Sequence, residues 1–368
     1  MFLFGGLLGS SIGAETPVTV LERIVVSDDG TSFVTKAGKK PFRPWGFNYL
    51  GNFGELMEEE WDQPEAWRDI DHDFAAMRQL GANVVRIHLQ LSTYMAGPDQ
   101  IRHEALKRLR ALLDLSEERG LYLDVTGLGC YHPARLPDWF DALPESRRWQ
   151  VQARFWEAIA DTCHDHPAIF CYDLMNEPVI TETRKEDQYP WLAGDLDGFY
   201  FVQRISRKPG DRDRREIAAT WVKEMTSAIR KHDQNSLITV GIIPWALVFK
   251  GAKPVFYGPD AAKYLDFTSV HVYPKSGKIK EEVKELAAYE IGKPLVIEEF
   301  FPMGCNMEEL KSFMNLADDA VQGWISHYFG HSIEEHQDGA DPGGPITASF
   351  LRFWKQRAGR RINTSDQP

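Results

Sequence analysis

Two short apolar runs in this 368-residue chain each stop at a carboxylate. YDLMNEP (172–178) closes on Asn176-Glu177-Pro178, and PLVIEEFF (294–301) carries Glu298-Glu299-Phe300. Strands of a parallel sheet read as continuous apolar runs because helices cover both faces. In a closed α/β barrel the chemistry sits where such strands end. Two glutamates at two strand ends, far apart in sequence, can meet across one cleft. One would then give and take a proton while the other attacks or steadies developing positive charge.

The elements that must position this pair alternate along the chain. Residues 21–44 hold two β-like runs split by Asp29-Gly30, a hairpin signal. Strand-like runs follow at 44–50, 83–91, 121–128, 168–178, 236–243, 265–274, 294–300 and 321–329. Helical spacing of apolar residues falls between them at 65–80, 101–119, 145–166, 213–232, 259–264, 279–290 and 307–318, with a last helix at 346–358. Gly81, Gly120 and Pro167 mark three helix ends. The segment 179–211 reads as a long polar loop. Strands and helices in alternation predict parallel β with right-handed crossovers. Eight such units, with no glycine-rich phosphate loop after the first strand, predict a (β/α)8 TIM barrel with a short N-terminal β-hairpin rather than a dinucleotide fold.

Strand-end Asn-Glu-Pro, with a second glutamate before an aromatic at a later strand end, resembles glycoside hydrolase family 5, the cellulase- and β-mannanase-like retaining β-glycosidases. The resemblance spans about residues 40–330. It implies Glu177 as general acid/base and Glu299, five residues after Pro294, as nucleophile. Glu298 stands where the family usually has Gly, Ser or Thr. Adjacent strand residues point to opposite sides, so only one of the two is expected to face the sugar. The resemblance further implies that Arg86 hydrogen-bonds the nucleophile, that Asn176 binds a sugar 2-hydroxyl, and that His271 sits beside the acid/base. Tyr273 would hold the nucleophile, and Trp324 would form the floor under the sugar. Many members end strand 3 with a histidine. Here Thr126 and Gly127 stand there, and His132 is the candidate reaching in from the following loop. Such a pair suits glycosidic cleavage, which needs a proton for the leaving oxygen and a stabiliser for an oxocarbenium-like centre. The implied substrate is β-linked glucan or mannan, β-1,4 in linkage. An exo-acting β-glucosidase or β-glucanase and a non-catalytic carbohydrate-binding barrel are the alternatives. Trp45, Trp139, Trp191 and Trp245 near strand ends are candidate sugar platforms.

Composition is that of a globular chain with ample core. A net charge of −12 disfavours nucleic acid, whose phosphates such a surface repels. Cys130, Cys163, Cys171 and Cys305 form no CxxC pair, so no metal ribbon or redox motif is expected. Neither a cofactor nor a metal is expected, and His164-Asp165-His166 before Pro167 reads as a helix end. Residues 2–14, FLFGGLLGSSIGA, are too short for a membrane span but look like the apolar core and small-residue exit of a signal peptide, with a cut after Ala14. The first basic residue is Arg23, so the usual basic start is missing. The expected organisation is a leader at 1–14 and one catalytic barrel at 21–360. The protein is expected to be a secreted or periplasmic monomer acting on an oligo- or polysaccharide.

Overall fold

The computed structural model describes residues 21–365 except 52–55, 182–188, 329 and 340–341. The expected leader at 1–14 lies outside the described residues. Eight parallel strands line a barrel: β1 (Trp45–Tyr49), β2 (Val84–Gln90), β3 (Tyr122–Gly129), β4 (Ile169–Asp173), β5 (Leu237–Thr239 and Gly241–Ile242), β6 (Thr268–Val272), β7 (Leu295–Phe300) and β8 (Gly323–His327). The sheet runs from the first half of β5 through β4, β3, β2, β1, β8, β7 and β6 to the second half of β5. The ring therefore closes through Val240, the residue between the halves. Helices follow the strands: α1 (Pro64–Gln79), α2 (His103–Glu118), α3 (Glu145–Cys163), α4 (Arg214–Arg230), α5 (Pro259–Ala262), α6 (Ile279–Glu285), α7 (Met307–Ala317) and α8 (Gly344–Ser365).

The strand runs are apolar because both faces are covered; all seven residues of β2 are buried. Val85, Ile87 and Leu89 alternate with Arg86 and His88, whose side chains bond groups inside the ring. The outer residues meet the helices, as where the Trp45 ring stacks 4.0 Å from Trp354 of α8. Inward positions of such barrels are usually branched aliphatics. Here the layer nearest the strand ends instead holds Arg86, Asp124, Asp173 and Glu298, each with no exposed surface.

Two expectations need correction. The segment read as a polar loop builds a three-stranded sheet from Pro178–Ile180, Leu192–Leu196 and Phe199–Ser206. Its strands escape notice because Leu192–Leu196 is mostly exposed and carries Gly194 and Asp195. The run 168–178 is not one strand: β4 ends at Asp173, and the chain then bends so that Glu177 takes a left-handed φ of 47°. At the N-terminus the hairpin of Ile24–Val26 and Phe33–Thr35 is present, and Pro41–Phe42 adds a third strand.

Candidate active site

The carboxyls of Glu177 and Glu299 meet at the mouth of the barrel. One oxygen of each, with a ring nitrogen of His271, forms a cluster whose members all lie within 4.8 Å of one another. Glu177 is carried by the bend after β4, pinned where its N–H donates to the Gly241 carbonyl of β5 at 2.9 Å. Its Oε1 lies 2.9 Å from His271 Nδ1, which is also 3.5 Å from Glu299 Oε1. That contact puts an imidazole within hydrogen-bond reach of the candidate acid/base.

Glu299 is held from both sides. Arg86 Nη1 donates to Oε1 at 2.9 Å, and the Tyr273 hydroxyl donates to Oε2 at 2.6 Å. With its one proton so used, Tyr273 accepts from His327 Nε2 at 2.9 Å, which places the hydrogen of that imidazole on Nε2. Burial alone would push the Glu299 carboxyl up, but His271, Arg86, His327 and the Tyr273 hydroxyl outweigh it and hold it well below the usual carboxylate range. Burial and then the Glu299 charge push the Tyr273 hydroxyl well up, so it stays a donor.

Arg86 organises the layer beneath. Nη1 also donates to Asn48 Oδ1 at 2.8 Å; Nη2 donates to Asp173 Oδ2 at 2.7 Å and to Asn176 Oδ1 at 2.9 Å. Asp173 accepts besides from Thr126 Oγ1 at 2.9 Å and the Gly241 N–H at 2.8 Å. Gly241 has to be glycine: a Cβ there would stand 2.7 Å from His271 Nε2 and 2.8 Å from Glu298 Oε2. Asn176 spends one amide N–H on the Phe201 carbonyl at 2.8 Å, tying the three-stranded sheet to the site.

Six of the eight candidate residues come together here: Glu177, Glu299, Arg86, Asn176, His271 and Tyr273. Trp324 does not. It is fully buried and packs edge-on against Phe300 and Phe313 of α7, in the layer between strands and helices. Residues 324 and 327 fall on opposite faces of β8, so the one that reaches the mouth is His327. His132 stands further out, 3.0 Å from Glu59 and against the Phe199 ring.

Glu298 also departs from expectation. Ile297 pairs with Val270 but Glu299 pairs with His271, so Glu298 is an extra residue in a bulge. The bulge resets the alternation, and both glutamates turn inward. Sequence reasoning passed over Asn48, His88, Asp173 and His327. His88 shares a strand face with Arg86, a period-2 signal that was available; its ring bonds the Tyr131 hydroxyl at 2.9 Å and Asn48 Oδ1 at 3.1 Å. Of the four tryptophans, Trp45 and Trp191 are buried, while Trp245 is 39% exposed and stacks on Phe249. All four cysteines are free.

Residues 37–333 match the cellulase family, glycosyl hydrolase family 5. A mannan endo-1,4-β-mannosidase A of Podospora anserina is 23% identical over 350 residues, covering 85% of this chain and 76% of that protein. An exo-β-1,4-mannosidase structure from Opitutaceae bacterium strain TAV5 superposes with TM-score 0.66 at 18% identity, over 94% of this chain. This chain spans 63% of that structure's length. A β-mannanase from the blue mussel Mytilus edulis gives 0.61 at 16% identity, over 93% of this chain and 97% of the mussel protein. An endoglucanase catalytic domain from Thermobifida fusca gives 0.58 at 16% identity, over 94% of this chain and all of that domain. At these identities the structures speak for the fold, a (β/α)8 barrel. With the family match over most of its length, the chain belongs to glycosyl hydrolase family 5, a family of glycoside hydrolases.

Proposed function

We propose that this protein cleaves β-1,4-linked mannan or manno-oligosaccharides with retention of configuration, Glu299 attacking and Glu177 serving as acid/base. The observation that carries this reading is the spacing: an oxygen of Glu177 within 4.8 Å of one of Glu299. Retaining enzymes hold the two carboxyls about 5–5.5 Å apart, whereas inversion needs about 6.5–9.5 Å to admit a water. Glu299, kept ionised by Arg86 and Tyr273, attacks the anomeric carbon while Glu177 gives its proton to the leaving oxygen. Glu177, now charged, then takes a proton from the water that hydrolyses the glycosyl ester. His271 Nδ1, beside both carboxyls, steadies whichever is charged. Arg86 and His327, through Tyr273, fix the nucleophile against rotation.

Mannan is preferred over glucan because a curated relative and two of the similar structures are named for mannan- or mannoside-cleaving activity. A chain-end mode of attack is a second reading. It is favoured by the sheet 178–206, which is tied to Asn176 through Phe201 and to the Tyr131 carbonyl through the Tyr200 N–H, so that it walls one side of the mouth. No helix among the described residues is long and apolar enough to cross a membrane, and export for polysaccharide breakdown fits this reading. The test is reducing-end release from β-mannans, β-glucans and their oligosaccharides by wild type beside Glu299→Gln. Cleavage of mannan by wild type alone is expected; equal rates from both proteins would overturn the assignment.

A further inference from the structure

Directly under Glu299 lies a pair of acids that the reaction does not use. Asp124 of β3 and Glu298 of the β7 bulge are fully buried, and their oxygens share a cluster with the Cys171 thiol within 4.8 Å. Donors are scarce there. Glu298 Oε2 accepts from the Ser269 hydroxyl, and its backbone carbonyl accepts from Asn48 Nδ2 at 2.7 Å. No N–H or hydroxyl among the described residues reaches Glu298 Oε1 or either oxygen of Asp124. One oxygen of each acid and the thiol sulfur lie within 4.8 Å of one another. Two bare carboxylates out of water at this range repel strongly, and one proton between them removes both the repulsion and the missing donor.

We propose that Asp124 and Glu298 hold one proton between them as a hydrogen-bonded acid pair, and that this pair positions Arg86, and through it Glu299. The claim about Glu299 rests on the function proposed above; the claim about the pair does not. The link is Arg86 Nε, which has no hydrogen-bond partner among the described residues and lies 3.8 Å from Glu298 Oε2. Losing the shared proton would add a charge on that edge and draw the guanidinium down, away from Glu299. The titratable groups facing the pair are Arg86 of β2, Cys171 and Asp173 of β4, His271 of β6, Glu299 of β7 and, behind Ser269, Tyr257. Asp173 has its own three donors. Burial, then the partner's charge, pushes Glu298 up, and burial pushes Asp124 up.

Two measurements test this. The first is the infrared carbonyl band of a protonated carboxyl at neutral pH, read in a Glu177→Gln background so that the acid/base does not contribute. Glu298→Gln and Asp124→Asn should each remove one and the same band, and the double variant should remove no more. No lost band, two additive bands, or stoichiometric metal in place of a band would each overturn the pair. The second is the pH profile of kcat/KM on a dinitrophenyl β-mannoside, whose leaving group needs no proton from Glu177. Glu298→Gln, whose amide can donate to Asp124, should extend the alkaline limb by at least one pH unit, about tenfold in rate there. An unmoved limb would overturn the action through Arg86. A wild type inert on this substrate would count against the proposed mannosidase, while the infrared result would still decide the pair.

Discussion

Glu299 at the rim and Glu298 one layer below are consecutive residues, both turned into the barrel and almost wholly out of water, with side chains 13% and 0% exposed. Their surroundings differ. The rim offers Glu299 an arginine N–H, a tyrosine hydroxyl and a nearby histidine. The layer below offers Glu298 one serine hydroxyl and a second acid. Burial raises the proton affinity of both, but only at the rim do donors and positive charge overcome it. Depth therefore does not settle the charge of a carboxyl in this protein; the number of donors aimed at it does. Donors are also unevenly shared within the lower layer, where Asp173, as deep as Asp124, has three.

The contrast can be broken most forcefully at the rim. If Glu299 has the proposed role, Glu299→Gln should lower kcat by roughly 10⁴–10⁶-fold while leaving the melting transition in place, as loss of a nucleophile does elsewhere. Glu177→Gln should cost about 10²–10⁴-fold on mannan and far less in the first step on a dinitrophenyl glycoside, read as a burst. Tyr273→Phe removes one donor from Glu299 and should cost about 10²-fold in kcat; an unchanged rate would show that Arg86 alone suffices. Stability should then separate the two layers by sign. Glu299 has a lowered folded pKa, so its contribution is present above the unfolded value of about 4.3 and is lost as pH falls below it. The acid pair has raised values, with Asp124 pushed up to about 6, so its folded state keeps a proton that the unfolded chain has released, and stability falls as pH rises from about 4. Urea unfolding across this range should give Glu299→Gln and Glu298→Gln opposite slopes relative to wild type, each up to about 1.4 kcal/mol per pH unit.

Much of this was legible before any coordinates. The eight strand runs stood out because strands covered on both faces leave no polar alternation to confuse them with helices. Arg86, His271 and Tyr273 could be placed because the resemblance to glycoside hydrolase family 5 carries functional residues at these positions of its strand runs. What stayed hidden depended on register. The bulge at Glu298 follows from pairing with β6, which no local pattern reports. The resemblance implies Trp324 at the mouth, whereas its side of β8 faces α7. The sheet 178–206 has one parallel pairing across a long separation and an exposed outer strand, so neither period nor composition announced it.

Glu177 sits in a backbone conformation that only glycine adopts freely, at φ 47°. A side chain held there costs about 1 kcal/mol. A library at position 177 sorted for folding alone should accordingly enrich glycine over alanine by about that much, and glutamate should not lead it. With Glu177 in its proposed role, selection for sturdiness and selection for turnover pull on the same residue in opposite directions, and a heat-hardened descendant of this protein is most at risk of having shed that acid.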